Sequence, residues 1–240
     1  MQVKTIKVRG LVLRVFDAGE SDKRLLIFCK GHGRLMAYAR GASKPSSRFM
    51  AAAQPFTYAD FVLAQGAGFY SLTQVDMIEN FYNLRTDYDR LMAAHQVTEA
   101  CEKTLWDNLE SDELLRLALK SLSVLAKGEV PPRQVSCIFL FRFFNAFGLR
   151  PQTDACVVCN TAVETKKMVL CEEGLVCDVH KPAASSPISR TAITMLQHIL
   201  DNDLALAFRF TAPEAACIEL SRAAHMLWKC HFDWELRTGF

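Results

Sequence analysis

Four of the nine cysteines in this 240-residue chain crowd into positions 156 to 177, beside one of its six histidines. Cys156-Val-Val-Cys159 is followed, after seventeen residues, by Cys177-Asp-Val-His180. Each C-x-x-C/H pair folds as a tight turn that aims two ligands at one point. Two such pairs at this separation therefore predict a tetrahedral ion held by three thiolates and one imidazole, with zinc the natural occupant. Gly174 supplies a turn just before the second pair. The segment is short and polar, so metal ligation would supply folding energy that its own core cannot.

Cys171 complicates the count, since it is an alternative fourth ligand to His180, though irregularly spaced from Cys177. A redox C-x-x-C would call for a single pair at a strand-to-helix junction, whereas here two pairs lie in a loop. Four protein ligands leave no open position for water, so the expected zinc is structural and not catalytic. The five remaining cysteines, Cys29, Cys101, Cys137, Cys217 and Cys230, stand singly in apolar surroundings and read as buried, reduced thiols.

A second kind of chemistry is carried by charge. Residues 1–50 hold eleven Lys and Arg against three acids, a net of +8. The other seventeen basic and twenty-three acidic residues leave the remainder at −6, so a formal total of +2 conceals a basic N-terminal part. That asymmetry predicts a polyanionic partner. Lys23, Arg24, Lys30, Arg34, Arg40, Lys44 and Arg48 fall at strand ends, in a hairpin or in a loop, and on a small barrel they are expected to crowd toward one rim and one face. Such a groove would follow a phosphate backbone without reading sequence. Aromatic interleaving is thin, because Phe16, Phe28, Tyr38 and Phe49 mostly alternate into the core by position.

The elements that must position these groups change character along the chain. Lys7–Phe16, Arg24–Lys30, Arg34–Arg40, Phe56–Ala64 and Phe69–Ile78 read as strands, with Gly31-His-Gly33 as a hairpin connection and Gly41–Arg48 as an exposed basic loop. Asp17, Glu20 and Asp22 read as a solvated turn. Five strands in some eighty residues suit a small closed barrel, for which an OB-fold is the leading candidate. From residue 84 the apolar spacing turns helical and runs to Trp106. Ser111 opens a second helix, and Pro131-Pro132 a third that ends near Gly148. Two more helices are expected near 189–202 and 213–236.

The predicted class is α+β and multidomain. A barrel over 1–80 is followed by helical segments over 81–153 and 183–240, with a zinc-finger insert over 154–182. No catalytic constellation, phosphate-binding loop or nucleophile elbow stands out, so the chain does not read as an enzyme. The N-terminal residues lack the apolar run of an export signal, and the longest apolar stretch, Cys137 to Gly148, is too short to cross a bilayer. A cytoplasmic location is expected.

Three stretches together resemble the RecO family of bacterial recombination mediators. They are Gly10-Leu-Val-Leu with Asp17–Arg24, then Gly33–Phe49 with Gln54-Pro-Phe56, and Gly148-Leu-Arg-Pro151 leading into Cys156–Cys159 and Gly174–Cys177. The resemblance covers essentially the whole chain. It implies an OB-fold, a helical domain and a zinc-finger insert. It also implies a nucleoid-associated role in DNA repair, recombination and the response to DNA damage. Such proteins bind single- and double-stranded DNA, anneal complementary strands, and with RecR help load RecA onto strands coated by single-stranded-DNA-binding protein. The family's metal-bearing members commonly end the second pair with cysteine, where this chain has His180. The acidic, apolar tail of single-stranded-DNA-binding protein would need an apolar groove guarded by cations, for which Lys120, Arg133 and Arg142 are the candidates. The rival reading is a zinc-containing protein–protein adaptor without DNA binding, which would leave the basic barrel unexplained.

Overall fold

A computed structural model describes residues 4–105 and 111–238. Five strands form its first part: β1 (Thr5–Ala18), β2 (Asp22–Cys29), β3 (Gly33–Ala39), β4 (Tyr58–Gln65) and β5 (Tyr70–Glu79). They close in the order β1-β2-β3-β5-β4, with β4 antiparallel to β1 and β3 parallel to β5. This is the OB-type barrel expected from the strand count. Alternation sends Val8, Val12, Leu25, Ile27, Leu35, Ala37, Phe61 and Leu63 to the interior.

The connection between β3 and β4 differs from a simple exposed loop. Lys44, Pro45, Ser46 and Arg48 do face solvent, but Ala42, Phe49 and Ala53 turn inward and join the barrel core. The loop plugs one end of the barrel because a closed five-stranded sheet leaves its mouth open to water unless apolar side chains fill it. Asp22 anchors the start of the plug by accepting the Gly41 N–H at 2.7 Å. This gives one member of the acidic turn a structural task.

On β2 both faces are buried. Leu25 and Ile27 point into the barrel, while Leu26 and Phe28 point outward and are also inaccessible. Residues 97–126 cluster with the barrel in one compact unit, Met1–Asp87 plus Val97–Ala126. Within that unit Arg14 pairs with Glu102 at 3.0 Å, and the Gly31 N–H donates to Asp112 at 2.9 Å. These polar contacts tie the helical residues of the unit to the barrel.

The helices are α1 (Tyr88–Thr104), α2 (Asp112–Lys127), α3 (Pro132–Ala146), α4 (Arg190–Asp201) and α5 (Glu214–His231). Leu84, read from the sequence as the first residue of the α1 periodicity, lies instead in a separate 3-10 turn, Tyr82–Thr86. The expected extension to Trp106 falls outside the described residues. Helix α5 stops at His231, short of 236, where Phe232 becomes extended.

The second compact unit is Tyr88–Gln96 plus Lys127–Phe240. Its centre is α3, buried on every side from Gln134 to Phe141. Phe143 packs its ring on Phe147 at 4.7 Å and on Trp228 of α5 at 5.2 Å. Ser189 caps α4 by accepting the Ala192 N–H, and Arg142 and Arg150 donate to carbonyls at its C-terminal end, where the helix dipole favours cations. Between α3 and α4 lies a small sheet of β6 (Met168–Leu170), β7 (Leu175–Cys177) and β8 (Ser186–Ile188), in the order β7-β6-β8. No helix of the described residues is long and apolar enough to cross a membrane.

Candidate metal centre and candidate nucleic-acid interface

The β6–β7 hairpin and the loop before it bring Cys156, Cys159, Cys177 and His180 together, with all four ligand atoms within 4.8 Å of one another. The first pair sits in a turn closed by the Cys156 N–H donating to Thr161 at 2.9 Å and the Asn160 N–H donating to Cys156 at 2.8 Å. The Val157 N–H donates to Leu175 at 2.9 Å and ties that turn to β7. The second pair begins at the end of β7, where a short 3-10 turn, Asp178–His180, swings the imidazole back. Cys159 Sγ lies 3.8 Å from Cys177 Sγ, and His180 Nδ1 lies 3.3 Å from Cys177 Sγ and 3.8 Å from Cys156 Sγ. A tetrahedral ion with sulfur ligands at roughly 2.3 Å requires sulfur–sulfur edges of roughly 3.8 Å. The donor set and its spacing therefore fit a closed, four-coordinate ion.

The backbone prepares the thiols for ligation. Burial opposes ionisation of Cys156, but N–H groups of Cys177, Cys159 and Val158 outweigh it and bring the thiol down to about 5. Burial pushes Cys177 up against the opposing N–H groups of Val179 and His180, with the neighbouring thiols Cys159 and Cys156 adding to the rise. An ion would offset that second penalty by replacing the Cys177 proton with its own charge.

Cys171 takes no part in the cluster. Met168 pairs with Cys177 at one end of the hairpin, whereas Cys171 follows Leu170 at the other and donates to the Gly174 carbonyl at 3.1 Å. The two cysteines are separated by the length of the hairpin, so Cys171 cannot replace His180. Of the lone cysteines, Cys29, Cys101, Cys137 and Cys217 are buried as expected. Burial raises Cys29 and Cys137 to about 12, which keeps them protonated and inert. Cys230 is the exception: it is exposed on α5, because that position faces away from α3.

The basic residues of the barrel do not gather at one rim. Lys30 and Arg34 lie at the β2–β3 hairpin end, where the Arg34 guanidinium donates to the Glu102 carbonyl at 3.0 Å. Lys23, Arg24, Arg40, Lys44 and Arg48 lie at the plugged end. There Lys23 pairs with Asp17 at 3.5 Å, and Arg48 donates to the Thr73 carbonyl at 2.9 Å while covering the Phe49 ring. The reason is strand geometry: β3 carries Arg34, Met36 and Tyr38 on its outer face, and Arg40 follows in the turn just after the strand, so the two cations stand a strand's length apart.

On the outer face runs a row that includes Phe16 and Tyr38, two of the four aromatics that mostly alternate into the core by sequence position. Phe16, Arg24 and Tyr38 are successive cross-strand partners on β1, β2 and β3. Phe16 lies under Arg14 and Arg24, with guanidinium-to-ring distances of 4.9 and 5.6 Å. Tyr38 meets Phe69 edge to face at 5.7 Å, and Phe69 is 41% exposed. Phe28 and Phe49 are buried, as expected of them. Phe69 and Tyr70 were not singled out from the sequence. The available signal was an aromatic at Phe69 directly after the Gly66-Ala-Gly68 turn, where a loop presents its side chain to solvent; Tyr70, the first residue of β5, is half-buried and packs against the barrel core. Together with Arg34 and Met36 these aromatics line a cleft of about 310 Å³ on the outer surface of the barrel. Exposed aromatic faces flanked by guanidinium groups can stack bases and neutralise phosphates.

The candidate tail guards are dispersed. Lys120 belongs to the barrel's unit, and Arg133 and Arg142 lie nine residues apart on α3, on opposite sides of the helix. Arg142 is half-buried against the Asn202 carbonyl.

The described residues thus comprise a five-stranded OB-type barrel, a helical unit and a Cys3His cluster that could hold a metal ion. Residues 1–81 match the family model for the N-terminal part of recombination protein O, and residues 85–239 match that for its C-terminal part. The chain belongs to the RecO family of DNA repair and recombination proteins. It is 29% identical over 227 residues to a DNA repair protein RecO of Acetivibrio thermocellus, covering 93% of this chain and 90% of that one. It is 35% identical over 173 residues to a DNA repair protein RecO of Alkaliphilus metalliredigens, covering 72% and 70%. A DNA repair protein RecO of Desulfitobacterium hafniense is 29% identical over 236 residues, covering 95% and 86%.

Proposed function

We propose that this chain is a non-catalytic recombination mediator that binds single- and double-stranded DNA without sequence preference. In this role it anneals complementary strands and, with RecR, helps load RecA. The observation that carries the reading is the outer face of β3, where Arg34, Met36 and Tyr38 alternate, with Arg40 in the turn just past the strand and Phe69 against Tyr38. Cations at both ends attract a polyanion. The aromatic and thioether surfaces between them offer sequence-tolerant stacking to unpaired bases. Partial neutralisation of two strands on such a surface lowers their mutual repulsion, which is the physical requirement for annealing.

Zinc is the proposed occupant of the Cys3His site, with Cys156, Cys159, Cys177 and His180 as ligands. Its task is to hold the hairpin together, since the site has no place for a reacting water. The acidic tail of single-stranded-DNA-binding protein is proposed to dock on the helical part, with Lys120, Arg133 and Arg142 as the candidate cationic guards. The protein is read as cytoplasmic and nucleoid-associated.

The test is a salt titration of binding to labelled single-stranded and duplex DNA, with wild type and an Arg34→Ala/Arg40→Ala/Lys44→Ala/Arg48→Ala variant. Steep salt dependence that flattens in the variant supports the reading. Absence of wild-type binding at low salt overturns it in favour of a protein–protein adaptor.

A further inference from the structure

The unit that carries the metal ligands contains a second concave surface that the reading above does not use. It is a groove of about 750 Å³ whose walls include Lys166, Lys167, Lys181, Arg190 and Arg222. These five cations come from separate places in the sequence: the turn before β6, the residue after His180, the first turn of α4, and α5. Only Asp178 and Glu219 oppose them. Glu219 is already engaged, accepting the Ser189 N–H at 2.6 Å. Among the described residues, no ion pair takes up Lys166, Lys167, Lys181 or Arg222. Residues 51–240 carry a net charge of −6, so a basic groove here runs against the local balance. Charge of one sign concentrated in a low-dielectric concavity focuses its field on an incoming polyanion.

The metal hairpin sets the spacing of the lysines. Lys181 directly follows the ligand His180, and the Lys167 carbonyl accepts the Asp178 N–H at 3.1 Å across the sheet. On the facing wall, Arg190 donates to the Val163 carbonyl at 3.1 Å, which holds the turn before β6 against α4.

We propose that this groove is a second phosphate-backbone site for nucleic acid, distinct in sequence and in structural unit from the barrel face. It rests on the reading of the chain as a nucleic-acid binder and extends it. A chain with one phosphate site in each unit has two separate surfaces on which strands can be held.

The test compares the full-length protein with a Lys166→Gln/Lys167→Gln/Lys181→Gln variant, a separate Arg222→Gln variant, and the four-residue barrel variant. Binding to a duplex oligonucleotide and to an oligoglutamate peptide is titrated against salt, and bound metal and Tm are recorded. Removing three phosphate contacts should lower the slope of log affinity against log salt by about 2–3 and weaken low-salt binding at least tenfold. Arg222→Gln should act in the same direction by about one contact. Because Arg222 lies on α5 outside the hairpin, a shared effect of both variants cannot come from damage to the metal module. Groove variants with wild-type DNA affinity and slope overturn the proposal while leaving the barrel reading standing. Groove variants that lose only the oligoglutamate peptide identify a protein-docking surface and also overturn it. A wild-type chain that binds no DNA at all defeats the functional reading and this one together.

Discussion

Gly174 lies against the backbone of Gln152 so closely that a β-carbon placed on it would fall on the Gln152 carbonyl oxygen and 2.6 Å from the Gln152 nitrogen. The Leu175 N–H donates to Gln152 at 2.8 Å, and the Gln152 N–H donates to Glu173 at 2.9 Å, so the metal hairpin is laced to the segment that follows α3. Gly174 also holds φ at +145°, a conformation closed to side-chain-bearing residues. Gly174→Ala should cost about 1–3 kcal/mol from the backbone conformation alone, with the clash in addition. A fall in Tm together with reduced metal retention is the expected result. An unchanged Tm would contradict this account.

Metal stoichiometry separates the ligands from the bystander. Cys156→Ser, Cys177→Ser and His180→Ala should each lose tightly bound metal and destabilise the hairpin, as should prolonged chelation. Cys171→Ser should retain one equivalent of metal, because its thiol bonds to the Gly174 carbonyl at the opposite end of the hairpin. Elemental analysis of the purified variants decides between them.

Phe69→Ala isolates stacking from charge. The ring is exposed and meets Tyr38 only at its edge, so its removal should leave the unfolding free energy within about 0.5 kcal/mol of wild type. Binding to a single strand should weaken by about 1–3 kcal/mol, with the salt slope unchanged. Equal losses on duplex and single-stranded DNA would argue against base stacking at this position.

Phe143→Ala probes the centre of the helical unit. The ring contacts Phe139, Phe144, Phe147, Trp228 and Phe232, and a cavity there should cost about 3–5 kcal/mol. Chemical denaturation followed by tryptophan fluorescence measures it directly, since Trp228 lies in the same cluster.

Arg9 and Asp60 are cross-strand partners on β1 and β4, joined by two hydrogen bonds of 2.7 and 2.8 Å. The bond from Arg9 holds the Asp60 carboxyl below the ordinary carboxylate range. Because the folded value is depressed, the pair's small stabilisation is fully present above the ordinary carboxylate value and is lost as pH falls through the lowered one. Carboxylate titration by NMR should find Asp60 shifted down in wild type and restored in Arg9→Ala.

Much of this architecture was legible in the sequence, because the signals are local. A strand with period-two alternation, a proline pair at a helix start and a C-x-x-C turn are each decided by residues a few positions apart. The five barrel strands, the start of α3 and the four clustered ligands therefore emerged where the pattern placed them. Spacing already favoured His180 over Cys171, and the hairpin register gives the physical reason, since it puts His180 at the cluster and Cys171 at the far turn.

What the sequence determined by itself was composition, period and ligand spacing: a basic first part, a barrel's worth of strands, and a metal knuckle. The tertiary structure decided which way each side chain faces once the sheet closes. Closure sent Tyr38 and Phe16 outward and split the basic residues between two ends of the barrel. It turned half of a polar loop into a plug, and it drew Lys166, Lys181 and Arg222 to one groove. Those outcomes depend on contacts between residues far apart in the chain, whose register no local pattern encodes.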